Sequence, residues 1–301
     1  MQAEMRQRLK SQKLPVFLQD PERGVSNEYP TSVNAFRQPC LWYISAVRNS
    51  GKSYLASKFL AQATRDKTFN KIYMVTPSFS SNKAYFGKYV DESDVYQPTK
   101  SSIADVIARV EKDRDEWEDY LRKVKLYERF VQRTKHNHFM SDDDLLFYYD
   151  YMEKPKYKYS EPVKSLLILD DVINSPAILQ SSGLAKLASL NRHVAPLNEE
   201  YNGRSSCGLA VIILSQSYRC SQGVGRLLRE NLSLFTMFKN KSDAQMKVIE
   251  EEIGSVIDID RFRAAYDYAT EEKYGNLTVD FNPKTSNHTF RKNLNELLFF
   301  E

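Results

Sequence analysis

The sequence predicts an α/β fold in which helices flank a central, mostly parallel β-sheet. Short apolar segments alternate with longer segments that carry apolar residues at helical spacing, and this alternation is typical of strand–helix–strand units. Two apolar segments, residues 166–169 and 209–214, are uninterrupted, as expected for central parallel strands covered on both faces. The strands predicted in chain order are residues 41–44, 71–75, 166–169, 209–214 and 232–238, and residues 244–253 are predicted to be helical.

Length and composition are those of an ordinary globular protein. The 301 residues, 42% of them hydrophobic, suffice for one large α/β domain, or one domain plus a small appendage, with a full core. No segment approaches the roughly 18 consecutive apolar residues of a membrane-spanning helix, and the basic N-terminus has no apolar core like that of a signal peptide. We therefore expect a soluble protein that has no membrane span and is not secreted.

Charge and cysteine content exclude little. Lys and Arg number 43 against 39 Asp and Glu, and the resulting net charge of +4 is compatible with nucleic-acid contact without indicating it. The three cysteines, Cys40, Cys207 and Cys220, are odd in number and lack the paired spacing of a zinc site. Neither a disulfide framework nor a structural zinc site is therefore predicted.

A phosphate-binding loop is predicted between the first strand and the helix that follows it. The pattern G-x-x-x-x-G-K-[S/T] aligns with residues 46–53, with Ala46 in place of the first glycine. Gly51 lets the backbone approach a phosphate, Lys52 reaches the β- and γ-phosphates of ATP, and Ser53 is a ligand of Mg²⁺. A chance Gly-Lys-Ser at a helix start is the alternative, but the flanking strand and helix are the context that the motif requires. The residues predicted to bind ATP are Ala46, Arg48, Asn49, Ser50, Gly51, Lys52 and Ser53.

Two carboxylates follow the apolar strand at residues 166–169. Asp170 and Asp171 would lie at the carboxyl edge of a parallel sheet, where open α/β sheets bind their ligands. We predict that Asp170 holds Mg²⁺, mostly through water, and that Asp171 orients or deprotonates the attacking water. Such a pair could instead cap the next helix, but its position downstream of a phosphate loop favours ATP hydrolysis.

Three further polar residues are candidates for the catalytic machinery. Gln216 follows the strand at residues 209–214 and could sense the γ-phosphate or position water. Arg192 and Arg229 could each reach the nucleotide of a neighbouring subunit as an arginine finger, which stabilises negative charge in the transition state. For both arginines, a surface or salt-bridge role is equally compatible with the sequence.

These motifs make the predicted fold that of a RecA-like P-loop NTPase. Residues 39–301 would form the ATPase domain. Residues 1–38 mix basic residues with prolines and are predicted to form an irregular N-terminal arm that precedes the core. The charged segment at about residues 101–160 has apolar residues at helical spacing and is predicted to be a helical insertion.

The order of the motifs along the chain resembles that of the poxvirus-type genome-packaging ATPases of the FtsK–HerA superfamily. Those proteins typically carry an arginine-histidine pair after the acidic pair, a strand that ends in glutamine, and an arginine two residues before an asparagine. The likeness extends from about Leu41 to the end of the chain. The corresponding residues here are Arg192, His193, Gln216, Arg229 and Asn231.

The resemblance implies an ATP-driven pump for double-stranded DNA. A homo-oligomeric ring would hydrolyse Mg-ATP and package a viral genome into a capsid, contacting DNA independently of its sequence and docking on a capsid, portal or vertex protein. It implies a location in the host cytoplasm, at a viral factory, or in the virion. For the tail, it implies a hairpin with a strand at residues 276–280 and a helix at residues 294–300. Ala46 and an aspartate rather than a glutamate at Asp171 depart from the family pattern.

Three other classes of protein share parts of this pattern. A terminase large subunit has a similar arginine-containing phosphate loop, but the residues after about Lys241 are too few for the nuclease domain that a terminase carries. A helicase or a conjugation-type coupling ATPase would share the ATPase core, yet common helicases add further nucleic-acid motifs and usually a second motor domain. An ATP-dependent assembly switch differs from a motor in that DNA would not stimulate its turnover.

Overall fold

The computed structural model of the protein describes residues 9–13, 27–29, 31–32, 34–135, 141–172, 175–179, 181–218, 224–240 and 242–300. In this part of the chain a ten-stranded sheet is flanked by helices, so the predicted α/β fold is confirmed. The strands are β1 (Leu9–Lys13), β2 (Leu41–Ser45), β3 (Lys71–Val75), β4 (Val95–Tyr96), β5 (Ser165–Asp170), β6 (Pro196–Tyr201), β7 (Arg204–Ser206), β8 (Leu209–Ser215), β9 (Leu234–Phe238), β10 (Asn276–Asp280), β11 (Phe290–Lys292) and β12 (Glu296–Phe300).

Helices connect most of the strands. Those of the described residues are α1 (Lys52–Arg65), α2 (Phe79–Phe86), α3 (Ser102–Lys135), α4 (Asp142–Tyr148), α5 (Pro176–Leu179), α6 (Ser182–Leu190), α7 (Val224–Glu230), α8 (Asp243–Gly254) and α9 (Ile259–Ala269). None of these helices combines the length and the apolar character needed to cross a bilayer.

The strand order of the large sheet is β1-β12-β11-β10-β9-β2-β8-β5-β3-β4, and β6 and β7 form a separate two-stranded antiparallel sheet. The pairings from β9 through β4 are parallel, and those from β1 through β9 are antiparallel. Strand β8 lies between β2 and β5, and its register pairs Ser215 with Ser45 and Leu214 with Asp170. The carboxyl ends of these three parallel strands therefore meet at one edge of the sheet, and β2 leads through a loop into helix α1, the context that a phosphate-binding loop requires.

Two hydrophobic cores lie on opposite faces of the sheet. Alternate residues of β2 show the division, because Trp42 and Ile44 pack with helix α1 while Leu41 and Tyr43 pack with helices α3, α6, α8 and α9. This alternation follows from the two-residue period of a strand. Both faces of the central strands are thus covered, which explains their uninterrupted apolar sequences.

The charged segment near residues 101–160 contains the long helix α3, whose first half packs on the sheet. Ile103, Val106 and Val110 are fully buried there. Asp113, only 2% exposed, accepts hydrogen bonds from Lys71 Nζ at 2.9 Å and Tyr73 Oη at 3.2 Å, both on β3. Because a buried carboxylate requires such partners, these contacts fix the position of α3 against β3.

The prediction of a terminal helix at residues 294–300 is wrong. The segment contains strand β12, which pairs with β11 in an antiparallel hairpin. Asn293 and Leu294 have φ values of 53° and 68°, which reverse the chain tightly and are not compatible with a right-handed helix. A short apolar run such as that of residues 297–300 has no periodicity that distinguishes strand from helix.

The expectation that residues 1–38 are irregular and precede the core also needs correction. Strand β1 pairs along the whole length of β12, at the edge of the sheet. Tyr29 and Phe36 are both buried in the core, and Tyr29 Oη donates to the carbonyl of Gly208 at 3.2 Å. The division into an arm and an ATPase domain stays a prediction.

Candidate functional site

The loop after β2 makes a tight turn that is anchored to the end of β8. The backbone N–H of Ala46 donates to the carbonyl of Ser215 at 3.0 Å, which anchors the loop to the end of β8. Within the loop, positive φ values occur at Asn49 (64°) and Gly51 (100°), and not at Ala46. An alanine therefore fits where the motif has its first glycine, since only positive φ would penalise its Cβ.

Helix α1 begins at Lys52, immediately after this turn. The first backbone N–H groups of a helix lack intrahelical acceptors and carry a partial positive charge, so they attract anions. No acidic residue lies in the first turn of α1 to neutralise that charge. The loop and the helix start thus form a site suited to phosphate.

The side chain of Lys52 forms an ion pair with Asp171. Its ammonium donates to Oδ1 of Asp171, and Gln216 Nε2 donates to the other carboxylate oxygen at 3.2 Å. Asp171 has a positive φ of 51°, which aspartate tolerates better than most residues. Its backbone N–H donates to the carbonyl of Leu214 at 2.9 Å, so β8 holds the strained residue in place.

The neighbouring carboxylate, Asp170, is buried and only 2% exposed. Thr76 Oγ1 donates to its Oδ2 at 3.2 Å and Asn82 Nδ2 donates to the same oxygen at 2.7 Å, whereas Oδ1 is buried without a hydrogen-bond partner. Burial, followed by the charge of Asp171, raises the pKa of Asp170. A buried carboxylate with one unsatisfied oxygen fits a site for a hard cation such as Mg²⁺, which prefers oxygen ligands and retains water.

A cavity of about 420 Å³ opens between the phosphate loop, helix α2 and the ends of β5 and β8. It brings most of the sequence-predicted site residues to one place. Asp170 does not line the cavity, but it accepts a hydrogen bond from Asn82, which does. Its lining residues are Arg48, Asn49, Gly51, Lys52, Ser53, Tyr54, Ser81, Asn82, Tyr85, Asp171 and Gln216.

Several residues at this site were not predicted from the sequence. Thr76 and Asn82 hold Asp170, and Ser81 and Tyr85 line the cavity beside Asn82. Thr76 follows β3, the parallel neighbour of β5, so the adjacency of the two strand ends is the signal that would have identified it. Helix α2 has no comparable signal in its sequence.

Arg192 lies away from the cavity. It belongs to a short 3₁₀ helix, Asn191–His193, and Asn191 Nδ2 donates at 3.3 Å to the carbonyl of Leu209, the first residue of β8. The cavity lies at the other end of β8, beyond Ser215. At about 3.3 Å per residue, a seven-residue strand separates the two ends by roughly 20 Å. Arg192 is therefore not in contact with the cavity.

Arg229 likewise does not line this cavity. Its Nε donates to both carboxylate oxygens of Glu252, at 3.1 and 2.8 Å, and its guanidinium lies 5.4 Å from the centre of the Tyr218 ring. Tyr218 Oη also donates to Glu252, at 2.6 Å. Asn231 donates to the carbonyl of Leu227 at 2.8 Å. In this structure Arg229 of helix α7 thus forms a cluster with Glu252 of helix α8 and with the ring of Tyr218, which follows β8.

No protein-family model matches the chain, and a comparison with curated proteins found no match. Among solved structures, the genome-packaging NTPase B204 from Sulfolobus turreted icosahedral virus 2, in complex with sulfate, is similar with a TM-score of 0.46 and 15% identity, covering 85% of this chain and 96% of that one. The pCW3 conjugation coupling protein TcpA has a TM-score of 0.41 and 13% identity over 82% of this chain and 58% of that one. The type VII secretion ATPase EccC of Thermomonospora curvata has a TM-score of 0.39 and 15% identity over 87% of this chain and 25% of that one. Because each of these TM-scores is below 0.5, the functional proposals below depend on the residues and geometry of this chain.

Proposed function

We propose that the protein hydrolyses Mg-ATP and uses the energy to translocate double-stranded DNA. The observation that supports hydrolysis is that the start of helix α1, Lys52 and Asp171 meet in one cavity. A cationic end of a helix and a lysine suit the β- and γ-phosphates, and a carboxylate at the same place suits the attacking water.

Each residue of the cavity has a separate role in the proposed hydrolysis. The phosphate loop from Ala46 to Ser53 binds the triphosphate. Lys52 then gives up its ion pair with Asp171 and donates to a phosphate oxygen instead. Asp171 is then free to orient or deprotonate water, with Gln216 holding its second oxygen.

Ser53 and Asp170 would hold Mg²⁺, which supplies charge neutralisation at the β- and γ-phosphates. Thr76 and Asn82 keep the Asp170 carboxylate oriented toward that position through their hydrogen bonds to Oδ2. The unsatisfied Oδ1 of Asp170 is the atom that gains most from a cation.

The translocation and packaging roles are supported by the order of motifs, in which Arg192, His193, Gln216 and Arg229 follow the acidic pair as in genome-packaging ATPases of the FtsK–HerA superfamily. In a homo-oligomeric ring, one of the two arginines serves the site of the neighbouring subunit.

DNA would be contacted through its phosphates, because a moving ring cannot stop at particular bases. A viral capsid or its portal or vertex protein would be the docking partner, in the host cytoplasm or the virion.

The test is the steady-state ATPase rate of the wild type and of Lys52→Ala, each with and without linear double-stranded DNA. We expect hydrolysis that requires Lys52, rises with DNA, and loses the DNA stimulation as salt increases, since phosphate contacts are screened. Hydrolysis that requires Lys52 but ignores DNA would retain the ATPase and support an assembly switch instead. Hydrolysis that survives Lys52→Ala would refute the site itself.

A further inference from the structure

A second cavity, of about 680 Å³, adjoins the phosphate cavity. The two cavities share four lining residues, Asn49, Gly51, Tyr54 and Tyr85. The two cavities lie on different sides of β2 in the sheet. The phosphate cavity lies on the side of β8 and β5, whereas the second cavity is lined by Phe238 and other residues on the side of β9 and β10. A molecule whose triphosphate contacts Lys52 can therefore extend along the sheet edge into the second cavity.

An aromatic ring of the second cavity lies beside Gly51, which lines both cavities. Tyr274 is 57% exposed and has a φ of 69°, an uncommon conformation for so large a residue. The following residue must be glycine, because a Cβ on Gly275 would lie 2.4 Å from the carbonyl oxygen of Ala269. Tyr274 Cδ1 lies 3.8 Å from the position that a Cβ on Gly51 would occupy, so the ring adjoins the phosphate loop. Strained positions of this kind are concentrated at ligand sites.

Two asparagines form a polar part of the second cavity. Asn276 is 2% exposed, and its Nδ2 donates to the carbonyl of Tyr274 at 3.3 Å and to Oδ1 of Asn293 at 2.9 Å. These two bonds fix the orientation of the amide, which leaves Oδ1 of Asn276 as a buried acceptor without a partner. Asn276 lines the second cavity, so a donor group bound there would supply the hydrogen bond that this acceptor lacks.

We infer that the second cavity binds the nucleobase of ATP, with the base stacked on Tyr274 and its amino group donating to Asn276 Oδ1. The inference rests on the proposed ATPase function, since the triphosphate places the base. Adenine carries an amino group at position 6 where guanine carries a carbonyl oxygen. An acceptor that lacks a donor therefore favours ATP over GTP, because a guanine carbonyl would leave both acceptors unsatisfied.

The test measures the binding of ATP, GTP and inorganic triphosphate to the full chain in the presence of Mg²⁺. The variants are Tyr274→Asn, which removes the ring with a residue that tolerates positive φ, and Tyr274→Phe, which keeps the ring. We expect Tyr274→Asn to weaken ATP binding roughly 10-fold or more, in line with the loss of base stacking, and to leave inorganic triphosphate unaffected. Tyr274→Phe should bind ATP like the wild type, and the wild type should prefer ATP to GTP.

Equal ATP affinity in Tyr274→Asn and the wild type would overturn the stacking inference, and equal wild-type affinity for ATP and GTP would overturn the role of Asn276. Lys52→Ala separates these failures from failure of the proposed function. Loss of inorganic triphosphate binding in Lys52→Ala upholds the phosphate site whatever Tyr274 does, whereas unchanged triphosphate binding refutes that site. Thermal unfolding of each variant identifies any loss of fold.

Discussion

Lys52 and Asp171 form an ion pair although 119 positions separate them in the chain. Lys52 is 12% exposed and Asp171 is 34% exposed, so the pair lies at the boundary between the protein interior and the cavity. A phosphate bound at the start of α1 would compete with Asp171 for the ammonium. The ion pair therefore connects nucleotide binding to the release of the carboxylate proposed to act on water.

Asp171→Asn should separate binding from hydrolysis. The amide cannot accept a proton from water, so we expect the turnover rate to fall by about 10²–10⁴-fold. ATP affinity should stay the same or increase, because Lys52 no longer has a carboxylate that competes with phosphate. Turnover and equilibrium ATP binding measured on the same preparation check this. A parallel loss of affinity and turnover would show that Asp171 supports the loop rather than the chemistry.

Asn82→Ala should raise the Mg²⁺ concentration required for half-maximal hydrolysis. The substitution removes the 2.7 Å hydrogen bond that orients the carboxylate of Asp170, and the loss of such a supporting bond typically weakens metal binding by about 10–100-fold. Lys83→Ala is the matched control, since Lys83 is the next residue and its side chain is 61% exposed. If Asn82→Ala lowers the maximal rate without changing the Mg²⁺ requirement, Asn82 contacts the nucleotide instead.

Asp170→Asn should stabilise the nucleotide-free protein while it abolishes Mg²⁺-dependent hydrolysis. The folded-state pKa of Asp170 is raised by burial, so its ionisation costs folding free energy as pH rises above the ordinary aspartate value of about 4. We expect the unfolding midpoint at pH 7.5 to rise by a few °C at most, since about 1 kcal/mol shifts the midpoint of a domain of 150–250 residues by about 2–4 °C and that of a larger one by less.

The stabilisation by Asp170→Asn should shrink as the pH falls toward the ordinary aspartate value of about 4, because the raised pKa of Asp170 lets the folded wild type bind the proton before the unfolded chain does. Thermal unfolding of both proteins across this pH range, without Mg²⁺ or nucleotide, provides the measurement. A variant that is less stable than the wild type at pH 7.5 would contradict the assigned effect of burial.

Arg229→Ala should lower turnover about 10³-fold or more if Arg229 is the arginine finger of a neighbouring subunit, and ATP affinity should be retained. Mixing Arg229→Ala subunits with Asp171→Asn subunits should then restore part of the activity, because some interfaces combine an intact Asp171 with an intact Arg229. Neither variant should regain activity when assayed alone. The same experiment with Arg192→Ala distinguishes the two arginines.

Glu252→Gln is the control for the Arg229 experiment. It removes the ion pair seen in this structure but keeps the arginine, so hydrolysis should persist. If Arg229→Ala and Glu252→Gln lose activity and thermal stability together, and mixing restores nothing, Arg229 stabilises helices α7 and α8 within its own subunit.

The loop at residues 46–53 and the acidic pair could be located from the sequence because their patterns are local. Gly51, Lys52 and Ser53 are consecutive, and a strand before them and a helix after them suffice to define the site. Asp170 and Asp171 follow an uninterrupted apolar strand, whose burial places its carboxyl end at the sheet edge. The meeting of these motifs then required only that parallel strands share that edge.

The tertiary structure alone decided the features that depend on contacts between distant segments. Thr76 and Asn82 support Asp170 because β3 lies beside β5, and Tyr274 adjoins Gly51 because β10 returns beside β9. The final strand replaces the predicted helix because two positive φ values turn the chain back onto β11. Local sequence specifies a motif through neighbouring residues, whereas strand order and tight turns are selected by the free energy of the whole packed chain.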